Sequence, residues 1–435
     1  VLISDLVGFA RGKRIEKSSL EKIYSSGLNM PATIFSMNVL GETIEECGLG
    51  QDIGEPDMVC KPIANTLHMA SWHDRPVAQV LMSMFNHDGT PFFADPRNIL
   101  SNVVRQLADI NLFPVVAVEL EFYLLDKNKD SNGNLQAPIS PKTGKRDEHT
   151  QVYSVDTIND YSALLDDINR VCIEQNVPAD TAVAECAPGQ FEINLKHEAD
   201  PITACDNAIL LKRIIKTVAD KHNFDATFMA KPYSNEAGSG MHVHASLLDE
   251  CGNNVFADDN HDNHDYNETL EHAIGGMLEL MPASMPLLCP NVNSYRRFMP
   301  GYYVAMAKNW GVDNRTVALR LPRGPKNATR IEHRVSGADA NPYLVMTVIL
   351  ASIHYGITNK ISPIAPTVGN AFDDDCEALP LKLDRALEVL ENDQILTSYL
   401  GEAFTKNYHL VKQKELEQFD MNISELEVKW YLSNS

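Results

Sequence analysis

The alternation of apolar and charged residues is clearest between Val115 and Leu125. This stretch is rich in β-branched and aromatic side chains and has the length of a buried β-strand. Two carboxylates, Glu119 and Glu121, interrupt it two residues apart, so they point to the same face of the strand. Two like charges on one face of an apolar strand are costly unless a partner neutralises them. The pattern therefore predicts a strand that presents two carboxylates to a cation.

Other apolar patterns place elements around this strand. Asp95 and Pro96 are residue types favoured at a helix N-terminus, and the helix that they open is predicted to run to about Ile110. Further helices are predicted over 161–175, 201–222 and 341–355, followed by an amphipathic helical tail from residue 381. Further strands are predicted over 191–195, 317–321 and 330–335, and one more follows the glycine-rich segment 237–240.

The first 92 residues are expected to form a small mixed domain. Residues 1–7 and 33–37 are strand-like, and residues 15–24 predict a short helix. The segment 41–57 is rich in glycine and acidic residues, which predicts a loop or a twisted hairpin. Two functions for this segment remain open: a solvated loop, or a lid that presents carboxylates to a cation.

Length, charge and cysteine content narrow the class of protein. The 435 residues suffice for two domains, and the chain has no apolar run of the roughly 18 residues that a transmembrane helix needs. A net charge of −22 argues against nucleic acid or an anionic membrane as the main partner, and it is compatible with a small cationic substrate. Eight scattered cysteines without a C-x-x-C pair favour a reducing cytoplasm. The start at Val1, without Met or an apolar leader, is expected of a chain lacking its first residues rather than of a secreted precursor.

Further candidate ligands lie in two later segments. Glu185 and Glu192 flank a Pro-Gly bend and can converge on one point. His242 and His244 share one face of a strand beside a glycine-rich loop, where a structural role and a ligand role are equally open. A polar segment over 258–264 is interpreted as solvated surface rather than a metal site, although it contains His261, Asp262 and His264.

Cations concentrate between residues 293 and 334 of this acidic chain. Glu332 lies two residues from both Arg330 and Arg334, so the three side chains would share one face of a strand. Arginines beside a carboxylate suit a polyphosphate with its metal, and surface salt bridges are the alternative explanation. The basic residues of this block are Arg296, Arg297, Lys308, Arg315, Arg320, Arg323, Lys326, Arg330 and Arg334.

The candidate ligands combine five carboxylates with one imidazole. They are Glu119, Glu121, Glu185, Glu192, His242 and Glu332. Such a set is too hard and too numerous for structural zinc, and it suits two Mg²⁺ or Mn²⁺ ions. Because the chain has no G-x-x-x-x-G-K-[ST] motif, metals and arginines would have to hold phosphates. The sequence therefore predicts a phosphoryl-transfer site.

Several short motifs make the chain resemble the glutamine synthetase superfamily along nearly its whole length. Each motif alone is weak, but their order and spacing are specific. They are Glu119-Leu120-Glu121-Phe122, Ala187-Pro188-Gly189-Gln190-Phe191-Glu192, Gly238-Ser239-Gly240-Met241-His242-Val243-His244, Asn293-Ser294-Tyr295-Arg296-Arg297, Pro300-Gly301-Tyr302, Asn314-Arg315, Arg330-Ile331-Glu332-His333-Arg334 and Asn341-Pro342-Tyr343.

The resemblance implies an α+β fold with two domains. These are an N-terminal β-grasp domain over 1–92 and a glutamine synthetase catalytic domain over 93–435, whose curved antiparallel sheet with flanking helices forms half of a funnel. The family also implies a cytoplasmic homo-oligomer, a double-ring dodecamer in which the N-terminal domain of a neighbour completes each active site.

The resemblance further assigns roles to residues of this sequence. The residues that would hold one metal ion are Glu121, Glu185 and Glu192, and those that would hold the other are Glu119, His242 and Glu332. The residues that would hold the glutamate substrate are Arg297, Arg334 and the backbone of Gly238. The residues that would face the nucleotide phosphates are His244, Arg315, Arg320 and Arg330. The implied catalytic residues are Arg315, Arg334 and Glu332.

Departures from the family pattern bear on the amine. Glutamine synthetases line their ammonium pocket with an Asp of the lid and a Glu directly after Pro-Gly-Tyr, but here the second position is Tyr303 and the lid segment 39–43 differs. An aromatic wall with more distant acids, such as Glu42 or Asp57, would suit an alkylamine with a cationic far end. The chain is in this respect similar to γ-glutamylpolyamine synthetases, which include glutamate–putrescine ligases.

The resemblance implies ATP-dependent ligation of glutamate's γ-carboxylate to putrescine or another alkylamine through a γ-glutamyl phosphate. Two alternatives remain open at this point. One is a glutamine synthetase that uses ammonium behind an altered lid. The other is a catalytically inactive relative that serves as a scaffold.

Overall fold

The computed structural model describes residues 1–148, 152–257 and 267–434. The segment containing His261, Asp262 and His264 lies outside these residues.

Short strands, one α-helix and several 3-10 turns make up the regular structure of the N-terminal part. The strands and the α-helix are β1 (Leu2–Ser4), β2 (Ala10–Gly12), α1 (Leu20–Ser26), β3 (Leu28–Pro31), β4 (Asp57–Pro62), β5 (His68–Met69), β6 (Ala78–Gln79) and β7 (Met82–Phe85). Strands β3, β4 and β7 form an antiparallel sheet on which α1 packs, a grasp-like arrangement, and β1–β2 and β5–β6 form two smaller sheets.

One strand prediction in this part is wrong. Residues 33–37 do not extend, because Ala32–Ser36 form a 3-10 helix in which all five residues are buried. A short apolar run that is enclosed on all sides has no periodicity that separates a strand from a helix. The predicted helix over 15–24 begins later, at Leu20, and the predicted loop over 41–57 contains two short 3-10 turns.

A sheet of eight strands forms the framework of the larger part. Its strands are β8 (Phe113–Asp126), β9 (Ala179–Ala184), β10 (Gln190–Leu195), β11 (Phe224–Thr227), β12 (Met241–Leu248), β13 (Trp310–Val312), β14 (Leu319–Leu321) and β15 (Ile331–His333). The order is β13-β14-β15-β12-β8-β10-β9, with β11 paired to the end of β8. All pairs are antiparallel except β13–β14, so the predicted antiparallel sheet is confirmed with one parallel pair at its edge.

Helices flank this sheet and form the C-terminal tail. They are α2 (Pro96–Asp109), α3 (Val155–Asp160), α4 (Ser162–Glu174), α5 (Pro201–Lys221), α6 (Glu268–Leu288), α7 (Pro342–Asn359), α8 (Leu383–Asn392), α9 (Gln394–Leu400), α10 (Glu402–Asp420) and α11 (Glu425–Tyr431). Side chains of Asp95, Asp200 and Asn341 cap α2, α5 and α7, as residues of these types do at helix starts. The structure adds α6, which the sequence patterns did not indicate.

The central strand β8 has one apolar and one polar face. Val116, Val118 and Leu120 are almost completely buried, and α2 and α5 pack against the strand. Glu119 and Glu121 alternate with these residues and are only partly buried, so they lie on the opposite face. The helices therefore cover one side of the sheet and leave its other side for polar chemistry.

Among the described residues, no helix is both long enough and apolar enough to cross a membrane.

Candidate active site

Strand register brings the predicted ligands of three strands together. On β8, Glu121 is paired with Glu192 of β10, and Glu119 is paired with His242 of β12. Directly paired residues of antiparallel strands point to the same face and lie side by side. Nδ1 of His242 donates a hydrogen bond of 3.2 Å to Glu119 Oε2, and its Nε2 lies 4.0 Å from Glu121 Oε1. The imidazole thus stands between the two carboxylates of β8.

The polar face continues across two more strands. His244 of β12 is paired with Glu332 of β15, and Glu332 is paired with Arg320 of β14. Nε2 of His244 donates to Glu119 Oε1 at 2.8 Å, and its Nδ1 accepts from Nε of Arg330 at 3.1 Å. Because a carboxylate can only accept and a guanidinium can only donate, these two bonds fix the Nε2–H tautomer of His244.

Two groups of these residues are close enough to hold metal ions. In each group one ligand atom per residue lies within 4.8 Å of the others: Glu119, His242 and Glu332 form one group, and Glu121, Glu192 and His242 form the second. The first group is the predicted one. The second group contains Glu121 and Glu192, two of the three residues predicted for the other ion, while the third, Glu185, lies outside it. His242 belongs to both groups.

Two arginines donate hydrogen bonds to the carboxylate of Glu332. Nη1 of Arg320 donates to Oε2 at 2.7 Å, and Nη1 of Arg334 donates to Oε1. Burial is the largest single influence on the pKa of Glu332 and would raise it, but Arg334, His242 and His244 together outweigh burial and lower the pKa to about 2. Glu119 behaves similarly: burial would raise its pKa, but hydrogen bonds from His242 and His244 hold the pKa well below its usual range.

The other carboxylates have less compensation. Burial and then the charge of Glu121 raise the pKa of Glu185 to about 7, with Arg315 acting in the opposite direction. Burial and then the charges of Glu119 and Glu121 raise the pKa of Glu192 to about 9. This half of the site therefore holds negative charge that protons or metal cations must neutralise.

A buried arginine forms one wall beside this cluster. Arg297 is 2% exposed, its Nη1 donates to the carbonyl of Val335 at 3.0 Å, and its Nε has no hydrogen-bond partner among the described residues. A Cβ atom at Gly238 would lie 2.5 Å from Cγ of Arg297, so only glycine allows the loop to approach this side chain. A buried guanidinium with an unpaired N–H group, beside the side-chain-free backbone of Gly238, suits an anionic ligand.

The remaining predicted arginines occupy different positions. Arg315 is exposed on the turn between β13 and β14, where its charge acts on Glu185. Arg320 donates to Asp313 Oδ1 at 2.7 Å as well as to Glu332, and Nη1 of Arg330 donates to the carbonyl of Ala328 at 3.2 Å. The carboxylates Glu119, Glu121, Glu192 and Glu332 form a row across the sheet. The structure brings Arg320 and Arg330 to this row, but both arginines already donate hydrogen bonds to protein acceptors.

The three predicted amine-pocket residues lie apart from this row. Tyr303 is 60% exposed and has a left-handed backbone with φ of 53°. Glu42 accepts hydrogen bonds from Asn38 and from Gln418 of α10, and Asp57 begins β4 of the N-terminal sheet. Within the described residues of one chain, neither acid forms a hydrogen bond or ion pair with the row.

Sequence reasoning missed Gln190 as a member of the site. Its Nε2 donates to the carbonyl of Gly238 at 3.0 Å and lies 3.5 Å from Glu121 Oε2. It joins the loop at Gly238 to the carboxylates of the sheet. Its position two residues before Glu192 on the same strand face was a signal that could have identified it.

Comparisons with known proteins agree with this geometry. A model of the glutamine synthetase catalytic domain matches residues 93–431. The chain is 48% identical to gamma-glutamylputrescine synthetase PuuA of Escherichia coli (strain K12), covering 100% of this chain and 91% of the relative. It is 31% identical to glutamate–isopropylamine ligase of a Pseudomonas species, covering 98% of this chain and 93% of that protein.

Solved structures support the fold independently. The structure described as apo GmaS without ligand superimposes with a TM-score of 0.86 at 24% identity, covering 99% of this chain and 96% of that one. The similarity at this identity concerns the fold alone. The family model covers residues 93–431, and the register of β8, β10, β12 and β15 brings its motifs together, so the chain belongs to the glutamine synthetase family.

Proposed function

We propose that this protein is an ATP-dependent ligase that joins the γ-carboxylate of glutamate to putrescine. The observation that carries the proposal is the full-length similarity to a gamma-glutamylputrescine synthetase, combined with an intact row of carboxylates, histidines and arginines on the sheet. A second relative is named a glutamate–isopropylamine ligase, and isopropylamine is also an alkylamine. The retained ligand and arginine positions argue against an inactive scaffold.

The donor set of the site fits two divalent metal ions of the Mg²⁺ or Mn²⁺ type. Carboxylates dominate it, and crowding them without a cation raises the pKa of Glu185 and Glu192. We assign Glu119, His242 and Glu332 to one ion and Glu121, Glu185 and Glu192 to the other. When bound, such ions neutralise and orient the phosphates of ATP.

Arginines would bind the anionic groups of the two substrates. Arg297 and Arg334 have buried Nε atoms without partners in the described structure, which supports a glutamate pocket bounded by the backbone of Gly238. His244, Arg315, Arg320 and Arg330 would face the nucleotide phosphates. Arg320 and Arg330 would exchange their present acceptors for phosphate oxygens when the nucleotide binds.

The reaction needs activation of glutamate because a carboxylate is a poor electrophile. Transfer of the γ-phosphoryl group of ATP to the γ-carboxylate forms γ-glutamyl phosphate and ADP. An unprotonated amine then attacks the acyl carbon, the amide bond forms, and phosphate leaves. Arg315 and Arg334 would stabilise the charge that develops on the moving phosphoryl group. Glu332 would hold one metal ion, and it accepts a hydrogen bond that orients Arg334.

The amine pocket is assigned to Tyr303 together with Glu42 and Asp57 of a neighbouring copy. The exposure of Tyr303 leaves its ring available to the methylene chain of a diamine, and a distant acid would pair with the far ammonium. Placing the acids on a neighbour accounts for their separation from the row within one chain.

We propose that the assembly is a double-ring dodecamer built from an N-terminal domain over 1–92 and a catalytic domain over 93–435. The tail supports contacts between copies, because α11 has no buried residue and exposes Leu426 and Trp430, and Leu432 directly after the helix is exposed as well. Light scattering should give the mass of a dodecamer, and a monomer or dimer mass at working concentration would contradict this assembly.

The eight cysteines are free, which supports a cytoplasmic location.

An amine panel tests the proposed reaction. With ATP, glutamate and Mg²⁺, release of ADP should require an amine, and putrescine should support a kcat/KM at least about tenfold above that of ammonium. The reason is the burial of its methylene chain, worth about 0.8 kcal/mol per CH₂. Glu332→Gln should abolish release with every amine. An equal or higher rate with ammonium would instead identify a glutamine synthetase.

Tyr303→Glu tests the aromatic wall. The change removes the ring and adds a carboxylate, so the ratio of ammonium to putrescine kcat/KM should rise about threefold or more, in line with a cation–π contribution of about 0.5–1 kcal/mol. Tyr303→Phe keeps the ring at the same left-handed position and should keep the wild-type ratio. An unchanged ratio in Tyr303→Glu would place the amine elsewhere.

Metal binding should stabilise the protein more at high pH than at low pH. In the metal-free protein the pKa values of Glu185 and Glu192 are raised from 4.5 to about 7 and about 9. The folded state therefore holds more protons than the unfolded state between pH 4.5 and about 9. Its stability therefore falls as pH rises through this window, and a bound cation replaces the protons.

Thermal unfolding with and without Mg²⁺ measures this effect. The rise in Tm should be several degrees larger at pH about 9 than at pH about 5, the limits of the same window. Glu192→Gln should reduce the difference between the two pH values. The same rise in Tm at both would show that these carboxylates do not bind the metal.

A further inference from the structure

A fully buried lysine lies between the N-terminal part and the glutamate pocket. Lys412 of α10 is 0% exposed, and its Nζ donates to Glu415 Oε2 at 2.7 Å and to Asn291 Oδ1 at 3.5 Å. Removing an ammonium group from water is costly unless its partners are well placed. No role in the reaction proposed above involves this side chain.

On one side, α10 holds the loop formed by residues 38–42. The other oxygen of Glu415, Oε1, accepts the backbone N–H of Val39 at 2.8 Å. One turn later, Gln418 exchanges hydrogen bonds with Asn38 and Glu42. The loop tip is open to solvent, with Leu40 74% exposed, and the hydrogen bonds of Glu415 and Gln418 tie the loop to α10.

On the other side, Asn291 leads to the arginine of the glutamate pocket. Its Nδ2 donates to Asp339 Oδ2 at 2.7 Å, and the same oxygen accepts the Ser294 hydroxyl at 2.7 Å. Ser294 begins the 3-10 turn Ser294–Arg297, so this carboxylate anchors the segment that presents Arg297.

The packing around this carboxylate leaves little freedom. A Cβ atom at Gly337 would lie 2.4 Å from Asp339 Oδ1 and 3.5 Å from Nη1 of Arg297. Asp339 and Arg297 therefore both border the same glycine, and a displacement of Asp339 would be felt at the guanidinium.

We propose that Lys412 is a positioning residue that joins the loop 38–42 to the turn that carries Arg297, so that glutamate affinity depends on how this loop is anchored. The chain of contacts runs from Val39 through Glu415, Lys412 and Asn291 to Asp339. This inference rests on the proposed function, because it assigns glutamate to Arg297. It adds that the glutamate pocket depends on the loop 38–42. The same loop carries Glu42, which is assigned to the amine pocket of a neighbouring copy.

Substitution of Lys412→Met tests the link, because methionine keeps the volume and the apolar stem but removes the donor. The KM for glutamate should rise about fivefold or more, the lower range of coupling between sites. The kcat and the KM for ATP should stay close to wild type. Hydrogen exchange should become faster in residues 38–42 and 291–297.

Matched variants separate this effect from general destabilisation. Lys414→Met removes a neighbouring lysine that pairs with Glu46 and Glu417 at the surface, and it should leave both readouts unchanged. If Lys412→Met fails to fold because Glu415 is left unpaired, the double variant Lys412→Met/Glu415→Leu removes both charges and should fold without restoring the link.

An unchanged KM for glutamate in a folded variant would overturn the proposal, as would equal changes in the KM of all substrates. Hydrogen exchange in the absence of substrates keeps this test separate from the proposed reaction. If the wild-type protein lacked ligase activity but Lys412→Met still loosened both segments, the structural link would stand while the proposed function failed.

Discussion

Repulsion between carboxylates on one face of β8 is the constraint around which the larger part of the chain is arranged. Glu119 and Glu121 lie side by side, and the antiparallel neighbours add Glu192 and, one strand further, Glu332. A slip of one residue in any of these strands would turn its polar side chains to the apolar face. The positions of the charged residues therefore specify the register of the strands. The apolar face is fixed in turn by helices that pack against β8.

The protein meets this repulsion differently in the two halves of the row. Around Glu119 and Glu332 it supplies its own donors, from two histidines and two arginines. Around Glu121, Glu185 and Glu192 the compensation is weaker, which is why the pKa values of the last two are raised rather than lowered. His242 stands at the boundary and belongs to both groups.

Local signals predicted much of this structure, because they act over a few residues. The period-two pattern of 115–125 located β8 and its polar face, and capping residues such as Asp95 located helix starts. The same signals fail where burial is uniform: Ala32–Ser36 became a 3-10 helix, and α6 was missed because it is apolar on most sides and contains two prolines.

Contacts between distant segments were less predictable from sequence. The motif positions indicated which side chains meet on the sheet, but not that Glu185 lies outside the second group or that His242 is shared. Nor does any local pattern connect Lys412 with Asn291, since about 120 positions of chain separate them and only the packing of α10 brings them together. The acids Glu42 and Asp57 are a similar case, because their distance from the row depends on assembly.

The two arginines that donate to Glu332 have a consequence for the folding of the sheet. Since Arg320 and Arg334 already occupy both of its oxygens, the centre of the sheet can close around this buried carboxylate before any metal ion arrives. Protons can occupy the less compensated half in the meantime. The buried charge of Glu332 is therefore balanced during folding by groups that the chain itself carries.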